Sequence, residues 1–277
     1  MMRVILASVA ITAISGAAYA QFVPKDPTQV YRPSLEGQRA TGALAPFDKA
    51  ADALGMVRGV ARTRTMDDIT TVEYTGSGTM AEIGPGGALT AYKVNRMTVG
   101  ISYYFRGRRA EIERQNAAGA KQLLIHVVRG NPNLAWNEEG TPGMNPKLAP
   151  GTEAERMQQL WLTPHGFIRA AVDATFKDAK VAKAGAKTVL IVPIDGVQVR
   201  GVLDDNNRLE RVDMPIRHPV LGATTLTAEY SDYKDFDNYG VMFPQHIVQK
   251  IGGKTVLDIR VTAFATNPYV VFPTPKA

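Results

Sequence analysis

The sequence predicts an α+β fold in which a strongly curved antiparallel sheet, a half-barrel, carries helices packed on its concave face. Most of the chain alternates apolar and polar residues with a period of two, which is typical of strands exposed on one face. Residues 152–176 instead repeat apolar residues every three or four positions, as amphipathic helices do. A helical pair with one apolar face and a sheet with one open face each need a cover, so we expect them to pack together.

The first twenty residues are expected to be a signal peptide, residues 1–20, that is cleaved after Ala20. Arg3 precedes an apolar run at 4–14, and the small-residue cleavage site Ala18-Tyr19-Ala20 follows it. The run is too short to span a membrane. The chain contains no cysteine, so a lipid anchor on an N-terminal cysteine is excluded. The expected location is periplasmic, neither lipid-anchored nor membrane-spanning.

The rest of the chain is expected to form a single half-barrel domain at 47–268, between an N-terminal arm at 21–46 and a C-terminal tail at 269–277. Proline-rich sequence marks both flanks. Of the 277 residues, 45% are hydrophobic, which is enough for one large core. The 32 basic residues exceed the 26 acidic ones only modestly and are spread along the chain, so no nucleic-acid partner is expected.

Within the domain, the pattern predicts roughly eight to ten antiparallel strands and three helices. The helices are placed at 47–56, 152–162 and 163–176, and the strands at 70–80, 91–104, 109–115, 120–129, 187–194, 197–203, 208–214, 224–233, 241–251 and 254–264. Gly76-Ser77-Gly78 predicts a bulge or a close backbone approach within the first strand. Asp195-Gly196 and Gly252-Gly253 predict hairpin turns. The proline-rich stretch 131–151 is expected to be a long loop.

The joint between the last two helices has the clearest local sequence pattern for the start of a helix. Thr163 suits the N-cap of a helix, and Pro164 suits its first position. Two interpretations of His165, which follows, stay open. Its ring either reaches a neighbouring carbonyl within the core, or it lies at a pocket rim as a neutral donor or acceptor near the helix N-terminus.

No motif for catalysis, a metal or a cofactor is present, so we assign no catalytic residue, no metal ligand and no cofactor. The sequence lacks a GxSxG elbow and a phosphate-binding loop. No HExxH or HxH spacing occurs among the four histidines, which are His126, His165, His218 and His246. Three histidines brought together by the fold remain the alternative. A cluster of three arginines, Arg106, Arg108 and Arg109, is interpreted as a solvated strand end in preference to a lipid-phosphate site.

Several sequence runs resemble the N-terminal module that precedes the hydrolase domain in some bacterial metallo-β-lactamase-fold proteins. The runs lie at 74–78, 135–137, 161–167, 230–235 and 243–262, and the resemblance covers most of 69–268. The layout of that module is similar to the periplasmic lipoprotein-carrier (LolA/LolB-like) family, a curved antiparallel sheet with helices plugging its concave face. The HxHxDH zinc motif of the hydrolase domain is absent from this chain, so the resemblance implies a stand-alone accessory domain and no zinc-hydrolase activity.

The leading functional hypothesis is a periplasmic protein that binds a lipid or other apolar small molecule in the hollow of the half-barrel. The candidate ligand-binding residues are the large or polar ones expected near that hollow: Trp136, Met157, Trp161, His165, Phe167, Ile168 and Tyr230. Packing within an ordinary core is the alternative role for each of them. A protein-interaction module that assists a partner enzyme is the second hypothesis, and a hydrolase that uses His165 is the third.

Overall fold

The structure is a computed structural model that describes residues 40–57, 69–141, 143–270, 272 and 275. The predicted signal peptide lies outside the described residues, as do most of the predicted arm and part of the predicted tail. The described residues all belong to one compact unit, 33–277.

Thirteen antiparallel strands form a single sheet in this part of the chain. In chain order they are β1 (Thr71–Ile83), β2 (Leu89–Ser102), β3 (Gly107–Asn116), β4 (Lys121–Arg129), β5 (Leu134–Glu138), β6 (Lys147–Leu148), β7 (Lys180–Ala184), β8 (Lys187–Ile194), β9 (Val197–Leu203), β10 (Leu209–His218), β11 (Gly222–Asp235), β12 (Met242–Ile251) and β13 (Lys254–Thr266). Their spatial order is β6-β5-β4-β3-β2-β1-β13-β12-β11-β10-β9-β8-β7. Strands that follow one another in sequence therefore pair, except β6 and β7, which form the two edges of the sheet, and β1 also pairs with β13 at the centre.

Three α-helices accompany the sheet: α1 (Ala45–Ala53), α2 (Glu153–Trp161) and α3 (Pro164–Asp173). The chain leaves one edge of the sheet at β6, passes through α2 and α3, and rejoins the opposite edge at β7. A flat sheet of thirteen strands would be about 58 Å wide. The nineteen residues of the two helices span about 28 Å. The sheet is curved and not closed, and the helices pack on its concave face, which confirms the predicted fold class.

The ten predicted strands are all present, but the sequence interpretation missed three more. The stretch 131–151 was expected to be a loop, and this is wrong because it contains β5 and β6. Strand β7, with the sequence KVAKA, is mostly exposed and lies at the sheet edge, so it lacks the apolar alternation on which the prediction depended.

The pairing register of β1 shifts between Thr75 and Gly76 in the ladder with β13, and between Gly76 and Gly78 in the ladder with β2. In each ladder the extra residue belongs to the neighbouring strand, so a bulge within β1 itself is wrong, whereas the close backbone approach is confirmed. A Cβ atom on Gly78 would lie 2.1 Å from the Asp258 carbonyl oxygen, so only glycine fits this close approach. The irregularity in β13 leaves Ala263 exposed and buries the next residue, Phe264.

Two apolar clusters lie on opposite faces of the sheet. The larger one fills the space between the concave face and the helices, and it includes Phe47 of α1 and Phe167 of α3. The smaller one lies on the convex face, where Trp136 packs with Ile125, Val127 and Phe272. Phe272 belongs to the predicted C-terminal tail, and it covers this second cluster.

No helix among the described residues is both long and apolar enough to cross a membrane.

Candidate functional site

A cavity of about 430 Å³ lies between α2 and the concave face of the sheet. Its apolar wall comes from the strands on both sides of the centre, and the residues that line it there include Met80, Met97, Ile112, Leu124, Leu226 and Leu257. Its polar wall comes chiefly from one side of α2. The cavity is therefore amphipathic, with an aliphatic floor and a polar flank.

The aliphatic floor follows from the pairing of neighbouring strands. Met97 of β2 pairs with Ile112 of β3, which pairs in turn with Leu124 of β4. Directly paired residues point to the same face, so these three side chains form a row across the sheet. Leu123, the residue before Leu124, points to the convex face and is 44% exposed.

Helix α2 presents a polar side to the cavity while its apolar side enters the core. Met157, Leu160 and Trp161 are buried, as the spacing of three and four predicts. Glu155 and Gln159 line the cavity on the other side. Gln249 of β12 donates a hydrogen bond of 3.0 Å from Nε2 to Oε1 of Gln159, which ties the helix to the sheet across the cavity.

Arg156 ties the same helix to the other half of the sheet. Its guanidinium donates to the backbone carbonyl oxygens of Val127 and Trp136, at 3.1 and 2.7 Å, and to Oδ1 of Asn137 at 2.6 Å. All three acceptors are neutral. Arg156 therefore lines the cavity as a positively charged group that donates three hydrogen bonds to neutral oxygens and forms no ion pair within 4.0 Å among the described residues.

The interpretation of the three clustered arginines as a solvated strand end is wrong for Arg108 and Arg109. Arg109 binds the carboxylate of Glu138 with two hydrogen bonds on the convex face. Arg108 is 8% exposed and lines the cavity on the concave face. Arg106 alone keeps a half-exposed side chain, which pairs with Asp195 at 3.3 Å. The opposite directions of Arg108 and Arg109 follow from the alternation of side chains along β3.

Arg108 makes no ion pair within 4.0 Å among the described residues. The hydroxyl of Tyr74 on β1 and, more weakly, the carboxylate of Glu155 act on it electrostatically. Burial lowers the pKa of Arg108 below its ordinary value, and the Tyr74 hydroxyl opposes part of that change. An arginine of this kind stays protonated near neutral pH, so the cavity contains a buried positive charge.

His126 lies on the cavity wall beside these arginines. Burial, together with the nearby charges of Arg156 and Arg108, lowers the pKa of its imidazole to about 4. The ring is therefore neutral at neutral pH, and it offers the cavity a donor or acceptor without a charge.

None of the seven candidate residues is among those that line this cavity. Five of them belong to the main core, Met157, Trp161, Phe167, Ile168 and Tyr230, and His165 stacks on two aromatic residues of that core. The seventh, Trp136, lies in the convex cluster, where its indole nitrogen donates to Glu138 at 3.2 Å. Each of the seven is at most 5% exposed. Their role as ligand contacts stays a prediction, and the structure places them behind the cavity wall or on the other face.

His165 is stacked inside the core. Its ring lies 5.9 Å from the ring of Phe243 and 5.7 Å from that of Phe264, measured between centroids. Its Nε2 atom lies 3.3 Å from the carbonyl oxygen of Leu54, as the first of the two interpretations expected. Burial lowers its pKa to about 4 against the smaller effect of that hydrogen bond. A fully buried, neutral ring has no access to a substrate, so the position of His165 gives the hydrolase hypothesis no support.

Two turns contain aspartates whose carboxylates accept hydrogen bonds from backbone amides, one at Asp204 and one at Asp235. The carboxylate of Asp235 accepts from the amides of Tyr239 and Gly240, at 3.2 and 2.7 Å. Among the described residues, no group of three or more His, Asp or Glu side chains is placed to hold a metal ion.

The residues that line the cavity were not predicted as ligand contacts, because their sequence pattern is the same as that of any buried strand face. Alternating Met, Ile and Leu in a strand predict a buried face, but they do not show whether that face is packed or open. Arg108 carried a stronger signal, because it occupies an inward position in an alternating strand.

Comparisons with known proteins place the chain in no family. No family model and no curated protein sequence matches it. Among solved structures, the chain is similar to the crystal structure of a LolA-superfamily protein from Nitrosomonas europaea, with 14% identity and a TM-score of 0.43. The match covers 83% of this chain and 96% of that protein. A similarity of this size supports no conclusion about ligand or activity.

Proposed function

We propose that the protein is a periplasmic binding protein that holds an apolar or amphipathic molecule, such as a lipid, in the hollow of its curved sheet. The observation that carries the proposal is the cavity of about 430 Å³ between α2 and the concave face. Small-molecule sites typically enclose roughly 300–1,000 Å³, with apolar walls and a few placed polar groups. The aliphatic floor and the polar flank of this cavity have that composition.

The location is part of the same proposal. The signal peptide at 1–20 would direct the chain to the periplasm, and the half-barrel domain at 47–268 would fold there. The N-terminal arm at 21–46 and the tail at 269–277 would flank it. Phe272, which belongs to the tail, packs on the convex face, on the opposite side of the sheet from the cavity.

A second candidate is an accessory module that docks on a partner enzyme, as the resemblance to modules fused to metallo-β-lactamase-fold hydrolases suggests. The two candidates differ in what they require of the interior. A docking module needs an exposed apolar patch and a packed interior, whereas a binding protein needs an open cavity. The cavity favours the binding protein.

The experiment compares two tryptophan substitutions at neighbouring positions of β4. Leu124→Trp places a large ring in the cavity, whereas Leu123→Trp places the same ring on the exposed convex face. Uptake of Nile red, a neutral apolar dye, is measured by its fluorescence on titration with each purified protein. We expect wild type and Leu123→Trp to bind the dye alike, and Leu124→Trp to bind it at least about tenfold more weakly, since one lost apolar contact region of this size is worth roughly 1.5 kcal/mol or more.

Equal uptake by all three proteins would show that the dye binds elsewhere, and the proposal would then fail. Absence of uptake by the wild type, together with no lipid in organic extracts of protein purified from periplasm, would favour the docking module.

A further inference from the structure

We infer that the cavity recognises its ligand through an anionic head group that binds Arg108, and that it selects amphiphiles with one oxyanion, a carboxylate or a phosphate, over neutral lipids. This inference rests on the proposed function and adds the charge of the ligand to it.

The first observation is that Arg108 differs from the other buried arginines. Three arginines among the described residues are at most 8% exposed: Arg108, Arg114 and Arg169. Arg114 forms an ion pair with Glu82, and Arg169 forms one with Asp173 at 2.7 Å. No ion pair within 4.0 Å joins Arg108 to a described carboxylate, and the group that acts on it most strongly is the neutral Tyr74 hydroxyl. A buried charge is normally paired, so the cavity wall lacks the anion that this guanidinium would bind.

The second observation is the net charge of the lining. Two acidic residues line the cavity, Glu82 and Glu155. Glu82 is already neutralised by Arg114, and Glu155 is exposed. Arg108 and Arg156 both line the cavity, and the hydrogen bonds of Arg156 go to neutral oxygens. Glu155 acts electrostatically on both arginines, so the lining sets two positive charges against one exposed carboxylate and keeps an excess positive charge.

The third observation is the position of Arg108 along its strand. Arg108 is the second residue of β3, Ile112 lies four residues further on, and the strand ends at Asn116. Both residues line the cavity, and four residues of an extended strand span about 13 Å, so the row of Met97, Ile112 and Leu124 crosses β3 at about that distance from the backbone of Arg108. This arrangement fits a molecule whose charged head lies at Arg108 and whose tail reaches the aliphatic row. The planar guanidinium can bind a carboxylate or a phosphate with two parallel hydrogen bonds.

The experiment compares three amphiphiles with the same twelve-carbon tail: dodecanoate, dodecyl phosphate and dodecanol. Their affinities are measured by displacement of Nile red at pH 8 from the wild type and from Arg108→Met, Arg108→Lys and Arg200→Met. Arg200 is an exposed arginine of β9, so its substitution changes the net charge equally without touching the cavity. Hydrogen bonds to charged groups are worth roughly 1.5–3 kcal/mol, so we expect the wild type to bind an anion about 10- to 100-fold more tightly than dodecanol.

We expect Arg108→Met to lose that preference while keeping its affinity for dodecanol, Arg108→Lys to keep part of it, and Arg200→Met to keep all of it. The ranking of dodecanoate against dodecyl phosphate distinguishes the two head groups. Equal affinity of the wild type for all three amphiphiles would overturn the inference and leave the proposed function standing, and this comparison needs no variant to fold. An anion preference that survives in Arg108→Met would also overturn it. Failure of the wild type to bind Nile red or any amphiphile would instead refute the proposed function.

Discussion

Tyr103 and Thr163 are joined by a hydrogen bond of 2.8 Å between their hydroxyl oxygens, and both side chains are buried. The Thr163 oxygen also accepts from the amide of Gly166 at 3.0 Å, so it caps α3. On the other side of the joint, the hydroxyl of Tyr230 donates to the carbonyl of Leu162. The joint between α2 and α3 is therefore fixed to the sheet from two directions.

Substitution of Thr163 tests the importance of this joint. Thr163→Ala removes the helix cap and leaves the buried Tyr103 hydroxyl without its partner, so we expect a loss of about 1–3 kcal/mol in the free energy of unfolding. Thr152→Ala is the matched control, because Thr152 precedes α2 but makes no capping hydrogen bond to it. Urea denaturation measures both variants. Equal losses in the two would mean that the joint has no special role.

Trp161→Ala tests whether the helical pair is core or lid. Trp161 is 3% exposed and does not line the cavity, so we expect a loss of about 3–5 kcal/mol in stability. Nile red uptake by the folded variant should stay within about twofold of the wild type. A fall of less than about 1 kcal/mol accompanied by loss of dye uptake would contradict this and indicate a mobile lid.

Glu138 provides a test of pH dependence. Burial acts to raise the pKa of its carboxyl, but hydrogen bonds from Arg109 and from the amide of Gly143 outweigh burial, so the pKa lies below its ordinary value. The unfolded carboxyl has a pKa of about 4.3. The stabilisation is therefore complete well above that value and is lost as the pH falls through it toward the lower pKa of the folded state.

We expect Glu138→Gln to lower stability at pH 7 by about 1–3 kcal/mol and to make the loss of stability between about pH 5 and pH 3 less steep. Glu139→Gln is the control, since the side chain of Glu139 is 61% exposed in its pair with Lys147. Thermal denaturation at a series of pH values measures both. A Glu138→Gln curve parallel to that of the wild type would contradict the role of this carboxyl.

Determining the N-terminal residue of the protein made in cells tests the predicted signal peptide and periplasmic location. We expect the chain to begin at Gln21 and to be released by osmotic shock without detergent, because the cleavage site Ala18-Tyr19-Ala20 follows an apolar run. N-terminal sequencing and fractionation measure this. A chain that retains residues 1–20 and sediments with membranes would refute the prediction.

Much of the fold could be predicted because its strands are long and alternate cleanly. The turn residues Gly252-Gly253 and Asp195-Gly196 also gave the hairpins correctly. Strands β5 to β7 could not be predicted in this way. They are short or exposed, and tertiary pairing with a neighbouring strand forms them where their own sequence has little preference.

The candidate site was harder to predict than the fold. Large residues such as Trp161 and Phe167 were predicted as ligand contacts, yet both are packed in the core. The cavity instead forms where α2 does not fill the hollow, and that depends on how far the sheet curves. Sequence periodicity shows which residues share a face, but not how much space lies above it.

The pairing of β1 with β13 has a consequence for how the chain acquires its structure. The first and last strands meet at the middle of the sheet, so the middle is the last part that can form during synthesis. Until β13 is made, β1 and β12 each present an unpaired edge, and contacts between residues so distant in sequence slow folding. A chain interrupted before β13 would therefore consist of two separate half-sheets, each with an unpaired edge strand that can associate with other chains. The two halves join into one sheet only when β13 pairs with both β1 and β12.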